Sequence, residues 1–385
     1  MKNLMQWNSL PSESNEWLEK VRALNPLIVQ HRDYSEQTNA THKDVMSRFF
    51  KEGFGRTSVS RAFGGSQVDI QTTSALVLEF ARYDASLSWQ LAVQVAMGRL
   101  SDYLPEATSE AIYNHCDGFV IGAIHSGGEA LPMGDDYLLS GKWAFASGSA
   151  HADWLVCTAT VKGTENNTTP EVRMFFVPAS QCTVLPTWDT LGMRGTGSHH
   201  FQCSNVIVHK SYSLDVETLK KSPEARSSRA YATGYYEFGT LAAMSTVLGV
   251  ARAAVDHFRN DRAVNTDPGL EGVIFEKTGR AISSVHTAQL LLEDAIHQVI
   301  SRGETIGEPV SARVGLAASV LTENSVNAVN QLYSMAGSKA VYKSHFLERC
   351  FRDIHTGSKH FTLSPLNLHG IGKYYLDKTN VLAAA

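Results

Sequence analysis

The chain has 385 residues, 43% of them hydrophobic, enough for a substantial core in two or three structural units. A formal charge of −4 and a pI near 6.4 argue against a nucleic-acid partner or a membrane surface. The 5 cysteines are odd in number, scattered and without a C-x-x-C pair, which reads as reduced, mostly buried thiols of a cytoplasmic protein.

The first residues lack the apolar run of a signal peptide, and charges interrupt every long apolar stretch, so no leader and no membrane span are expected. Residues 12–115 read helical: Trp17, Val21 and Leu24 recur at helical spacing, and the apolar run from Ala75 continues into Leu87–Met97. Between them lies a glycine-bearing loop from Gly53 to Gly65. From Phe119 to His209 the period becomes two, with β-branched or alternating runs after Phe119, Asp153 and Val172. Gly163 to Pro170 reads as a polar hairpin connection. Helical spacing returns from Tyr231 in alanine-rich segments: Leu241–Phe258, Val273–Ile300, Val310–Met335 and a last one from Lys343.

Two stretches stand out in the central part. Trp143-Ala-Phe-Ala-Ser-Gly148 and Leu191-Gly-Met-Arg-Gly-Thr-Gly-Ser198 both crowd small residues and hydroxyls near a large aromatic. Such a composition lets backbone and hydroxyl groups approach a flat ligand. Each stretch alone is a turn between strands. Together, in this order, they resemble the flavin-binding strands of the acyl-CoA dehydrogenase fold, including its monooxygenase branch, in which reduced flavin reacts with oxygen. The α–β–α order is similar to that fold over nearly the whole chain.

The resemblance implies an α+β architecture: a helical N-domain (1–117), a central β-barrel-like domain (118–212) and a C-terminal four-helix bundle (213–385). It also implies a homotetramer whose subunits complete one another's flavin sites. One such fold hosts several chemistries, so the reaction must be read from the site.

Dehydrogenases of this fold remove a proton alpha to a thioester carbonyl with a carboxylate, from the first C-terminal helix or from a late Glu-Gly-Thr loop. The late region here, Phe351-Arg-Asp-Ile-His-Thr-Gly-Ser-Lys-His-Phe361, has no glutamate. Glu237 is the nearby acid in the earlier helix, offset by about two residues, or about 200° of helix rotation. It reads instead as a helix-start residue.

The late region resembles the monooxygenases, which carry an Arg-Asp…His pattern there. By that resemblance His360 supports a C4a-hydroperoxyflavin, since imidazole donates a hydrogen bond and accepts a proton near neutral pH. A surface or helix-capping histidine is the alternative, and His355 falls on a different helical face. Ser147 takes the place of a hydroxyl near flavin N5, where it would hold that adduct; a serine bonded to its own backbone is the alternative. His125 matches a histidine that helps deprotonate a phenolic substrate. Trp143 and Trp188 match aromatics near the isoalloxazine ring, with core packing as the other reading. Arg194 and Thr196 join the cofactor set from the second stretch.

For the flavin phosphate the resemblance implies Arg262, with Arg259 in reserve, and Gly337-Ser338 near the phosphate of a neighbouring subunit. Gly337 could equally cap a helix. Ala263-Val264 in place of the family's Phe-Gly turn favours FMN over FAD. No metal site is expected: His199-His200 cannot share one strand face, no H-E-x-x-H occurs, and the cysteines are dispersed. No G-x-G-x-x-G opens a βαβ unit, so flavin reduction calls for a separate NAD(P)H-dependent reductase. The expected activity is oxygenation of an aromatic or heteroatom-containing small molecule by O₂ and reduced flavin. The alternatives are a flavin-dependent acyl-CoA dehydrogenase and a non-catalytic protein that retains the fold.

Overall fold

Three of the N-terminal helices start where a side chain satisfies a first amide. α1 (Glu13–Thr38) buries Leu18, Val21, Leu24 and Ile28 on one stripe and ends at Asn39, which takes the left-handed φ of +52° that stops a helix. His42 caps α2 (Lys43–Lys51). Asp69 and Asp84 cap α3 (Ile70–Ala81) and α4 (Ala85–Gly98), each accepting from a backbone amide at 2.8 Å. α5 (Glu106–Ser109) is a single turn. The computed structural model describes residues 6–114, 117–163, 171–221, 223, 229–261, 269, 271–301 and 308–376.

The strands are β1 (Phe119–Met133), β2 (Asp136–Ala146), β3 (Ala152–Val161), β4 (Glu171–Pro178), β5 (Thr183–Leu185), β6 (His199–His209) and β7 (Ser213–Asp215). They form a 7-stranded sheet in the order β5-β6-β2-β1-β3-β4-β7, antiparallel except for the parallel pair β1 and β3. Val161 pairs with Glu171 across the β3–β4 connection, whose expected hairpin, 164–170, lies outside the described residues. The sheet curls strongly. Cys157 on β3 and Cys203 on β6 stand three steps apart in strand order, about 14 Å in a flat sheet, yet their sulfurs are 3.9 Å apart.

The C-terminal helices are α6 (Tyr235–Asn260), α7 (Glu271–Ser301), α8 (Glu308–Met335), α9 (Phe346–Gly357) and α10 (Asn367–Leu376). α6 through α9 pack on one another, and α6 also packs on α3 and α4. α6 is long and apolar enough to cross a membrane, but 89% of its most apolar stretch is buried inside the protein, so it serves as the central core helix. α9 is pinned to α1 by charge: Arg349 pairs with Asp33 and Glu36, and Arg352 reaches Glu36 at 2.5 Å.

Candidate active site

The two hydroxyl-rich stretches meet. The N–H of Gly148 donates to the carbonyl of Thr196 at 2.7 Å, and the Ser149 hydroxyl donates to Gly197 at 3.1 Å. Ser147 Oγ lies 2.7 Å from Ser198 Oγ, which lies 2.7 Å from Thr196 Oγ1. Thr196 donates to the Met193 carbonyl at 2.8 Å. With that proton committed, Ser198 must donate to Thr196 and accept from Ser147, since otherwise the 2.7 Å contact between Thr196 and Ser198 would hold no proton. The chain of donors therefore runs one way, from Ser147 through Ser198 and Thr196 to the Met193 carbonyl, and leaves the Ser147 oxygen able to accept.

The backbone around it is strained. Phe145 and Met193 have φ of +64° and +51°, unusual for residues with a Cβ, and Phe145 is also 66% exposed. Its ring lies 6.3 Å from both Trp188 and His200. Trp188 donates its indole N–H to the Met193 carbonyl at 3.2 Å. His200 Nδ1 and Gln90 Oε1 are buried atoms with no hydrogen-bond partner among the described residues. Trp143 is placed in the core instead: 1% exposed, stacked on Phe201 and donating to the Thr158 carbonyl at 2.7 Å. The aromatic that faces outward beside Ser147 is Phe145, which carried no distinguishing signal in sequence. Arg194 is tied locally, its guanidinium donating to the carbonyls of Glu36 and Thr190 and pairing with Asp189.

α9 clamps the second stretch from below. Asp353 accepts from the Met193 N–H at 2.6 Å, Thr356 accepts from the Gly192 N–H at 2.9 Å, and Arg352 donates to the Leu191 carbonyl at 3.2 Å. A Cβ on Gly192 would come within 2.3 Å of the Arg352 backbone, so only glycine allows this approach. Burial raises the Asp353 carboxyl to about 7, against the pull of the Met193 amide. Arg352 and Asp353 thus shape the loop and do not form the site themselves.

His360 follows three residues after Gly357, whose added Cβ would meet Met193 Sδ at 3.1 Å. Its Nδ1 is 2.8 Å from Thr362 Oγ1, and its ring meets Trp89 edge-on at 5.2 Å. Among the described residues no hydrogen bond occupies Nε2. Burial, then the nearby His125, pushes the imidazole down to about 4, so it is uncharged at neutral pH. His125 lies where the β1 register against β3 jumps from Ala123↔Cys157 to Gly128↔Ala159. That bulge turns the exposed ring toward Phe361, centroids 4.6 Å apart. The structure thus joins His125 and His360 around Phe361. α4 links them to the hydroxyl relay: Trp89 touches His360, and Gln90 donates to the Gly195 carbonyl at 3.4 Å. His355 is engaged elsewhere, 2.9 Å from Asn330.

Glu237 lies in the first turn of α6, buried and accepting from the Ser311 hydroxyl. Its charge also acts on the buried Arg99, about 15 Å along α4 from Trp89. Gly337 and Ser338 are exposed near the other end of α9: Lys339 bonds Asp261 at 2.7 Å, and His345, which caps α9, lies 3.5 Å from the same carboxylate. α9 is about 18 Å long, so these residues do not join the hydroxyl relay within one chain. Arg262 lies outside the described residues.

Residues 241–365 match the family described as acyl-CoA dehydrogenase, C-terminal domain. The chain is 23% identical over 380 residues to a pigment production hydroxylase of Rhodococcus sp. (strain ATCC 21145), covering 94% of this chain and 96% of the relative. It is 26% identical over 332 residues to the FADH(2)-dependent resorcinol hydroxylase, oxygenase component, of Rhizobium sp. (strain MTP-10005), covering 79% and 80%. The structure of XiaF from Streptomyces sp. in complex with FADH2 and glycerol superposes with a TM-score of 0.88 at 19% identity, covering 94% of each chain.

Proposed function

We propose that this chain, which has the acyl-CoA dehydrogenase fold, is the oxygenase component of a two-component flavin-dependent monooxygenase. One observation carries the choice of chemistry. Two imidazoles, His360 and His125, gather beside Trp89 and Phe361, while Glu237, the acid near the start of α6, is engaged by the Ser311 hydroxyl.

The donor set fits a flavin. Phe145 and Trp188 offer aromatic faces, Ser147 and Thr196 offer hydroxyls, and His200 Nδ1 on β6 and Gln90 Oε1 on α4 are unpartnered polar atoms among the described residues. Bound and reduced, a flavin supplies electrons to O₂, and one oxygen atom passes to an aromatic or heteroatom-containing substrate. Ser147, oriented by its bond to Ser198 and through it by Thr196, would present its oxygen as an acceptor at the flavin edge. His360, uncharged, accepts or donates a proton through Nε2 while Thr362 fixes its ring. His125 accepts a proton from an acidic substrate hydroxyl. Trp89 and Phe361 pack against the buried His360 ring, and Phe361 also meets His125.

FMN is the cofactor we favour over FAD, with Arg262 and the Gly337-Ser338 segment of a neighbouring subunit at its phosphate. That reading assigns the protein to a cytoplasmic homotetramer served by a separate NAD(P)H-dependent flavin reductase. The test is to add photoreduced FMN to the protein and then air. Delayed return of the oxidised-flavin absorbance, compared with free FMN, supports an oxygenase. Bleaching of oxidised flavin by an acyl-CoA supports the dehydrogenase alternative, and no affinity for either flavin overturns both.

A further inference from the structure

Three of the cysteines that look dispersed in sequence converge in the folded sheet. The sulfurs of Cys157, Cys182 and Cys203 all lie within 4.8 Å of one another, and none is engaged in a disulfide. The curl of the sheet brings Cys157 to Cys203 at 3.9 Å. Strand pairing does the rest. β5 and β6 are antiparallel with Thr183 opposite Gln202, so Cys182 and Cys203 follow as the next facing positions, and their sulfurs are 2.9 Å apart. Facing positions on antiparallel strands have the Cα separation that a disulfide needs.

We propose that Cys182 and Cys203 are a peroxide-sensitive thiol pair that closes to a reversible disulfide and staples the segment between them. Cys203 is 3% exposed, whereas Cys182 is half-buried and is the sulfur that solvent reaches. The short contact leaves the proton on Cys182: against the pull of Cys157, its bond to Cys203 and its burial hold the thiol above the usual range. Thiol hydrogen bonds from Cys157 and Cys182 favour the thiolate at Cys203, and burial pushes the Cys157 thiol up. The Cys203 thiolate attacks hydrogen peroxide, the O–O bond breaks, and the hydroxide released takes the Cys182 proton to become water. The Cys182 thiolate so formed then attacks the Cys203 sulfenic acid. An S–S bond forms, the S–O bond breaks, and the hydroxide released takes a proton from solvent to become a second water. Two thiols are oxidised by two electrons in total, and one peroxide is reduced to two waters.

The consequence reaches the candidate site. The bond encloses residues 183–202, hence Trp188, Arg194, Thr196 and Ser198, and tethers both ends of the loop that α9 clamps in the middle. The pairing does not depend on the flavin reading, because the oxidant is peroxide from any source.

Reduced full-length protein is titrated with hydrogen peroxide, alkylated, digested without reductant and mapped by mass spectrometry. A peptide pair joined through Cys182 and Cys203 is expected, with free thiols falling from 5 to three and recovering in dithiothreitol. Amide exchange across 186–198 slows in the oxidised form. Cys182→Ser, a change at a half-exposed position, abolishes the cross-link, and Cys350→Ser retains it. Sulfinic or sulfonic acid at Cys182 with Cys203 still alkylatable overturns the proposal. So does stoichiometric zinc or copper that shields all three thiols, or a bond to another cysteine. A cross-link that leaves exchange unchanged overturns the staple.

Discussion

The backbone N–H of Met193 donates to Asp353 Oδ1 at 2.6 Å, joining the hydroxyl-rich loop to a helix 160 residues further along the chain. Met193 holds a left-handed conformation there, and its carbonyl accepts from both Thr196 and Trp188. One residue thus orders the loop on both of its faces.

Asp353→Asn tests the clamp through pH. Burial raises the carboxyl to about 7, above its unfolded value, so the folded state binds the extra proton between the two. This contribution to stability is present below the unfolded pKa and is lost as pH rises toward 7. Asparagine resembles the protonated acid and still accepts from Met193. Calorimetry across pH should show the variant matching the parent near pH 4–5 and exceeding it above pH 7. Equal profiles would mean that the carboxyl titrates normally.

His360→Ala should leave reduced-flavin binding largely intact and cut product formation by about 10²–10⁴-fold, the usual loss for one positioned proton-transfer group. With the imidazole at about 4, below its unfolded 6.5, stability from this residue is present above 6.5 and lost as pH falls toward 4. The acid limb of the parent's rate profile should therefore not break at 6.5. A break there, or an unchanged product yield in the variant, would make His360 a bystander.

Ser147→Ala removes the first hydroxyl of the chain and leaves Ser198 donating to Thr196. Folding should change by about 1 kcal/mol. Hydrogen peroxide released per O₂ consumed should rise, measured with peroxidase-coupled dye beside an oxygen electrode. Unaltered coupling would assign the hydroxyl to packing alone.

Phe145→Gly separates stability from function. The φ of +64° is strained for phenylalanine and free for glycine, so relief of about 1 kcal/mol offsets the added chain entropy. We expect an unchanged or higher melting temperature together with weaker flavin binding by fluorescence titration. Loss of both would place the ring in the core.

The α–β–α order was legible because local spacing and residue type carry it. The two hydroxyl-rich stretches, His125 and His360 were singled out separately, by resemblance. Their meeting in space was not legible, because it depends on the β1 bulge and on the turn after α9. Trp143 and Phe145 were not told apart, for a physical reason. Both share strand parity, and alternation assigns them one face, but the β2–β6 register shifts between Trp143 and Ala146. That shift turns Phe145 outward while Trp143 stays in the core. Arg352-Asp353 was legible as a motif, yet its role depends on the close approach of Gly192. The cysteine cluster was read as dispersed because only strand pairing and the curl of the sheet bring the three sulfurs together.

The ion pairs between α1 and α9 also set a schedule for biosynthesis. Asp33 and Arg349 are 316 positions apart, so the ribosome delivers the acids of α1 long before the arginines that neutralise them. Loop closure over such a span costs little more than over a shorter one, so arrival time and not entropy governs when the contact forms. The same docking brings Asp353 beneath Met193. A nascent chain halted before α9 therefore carries the hydroxyl-rich loop without its clamp, and the loop reaches its final geometry only after α9 has been made.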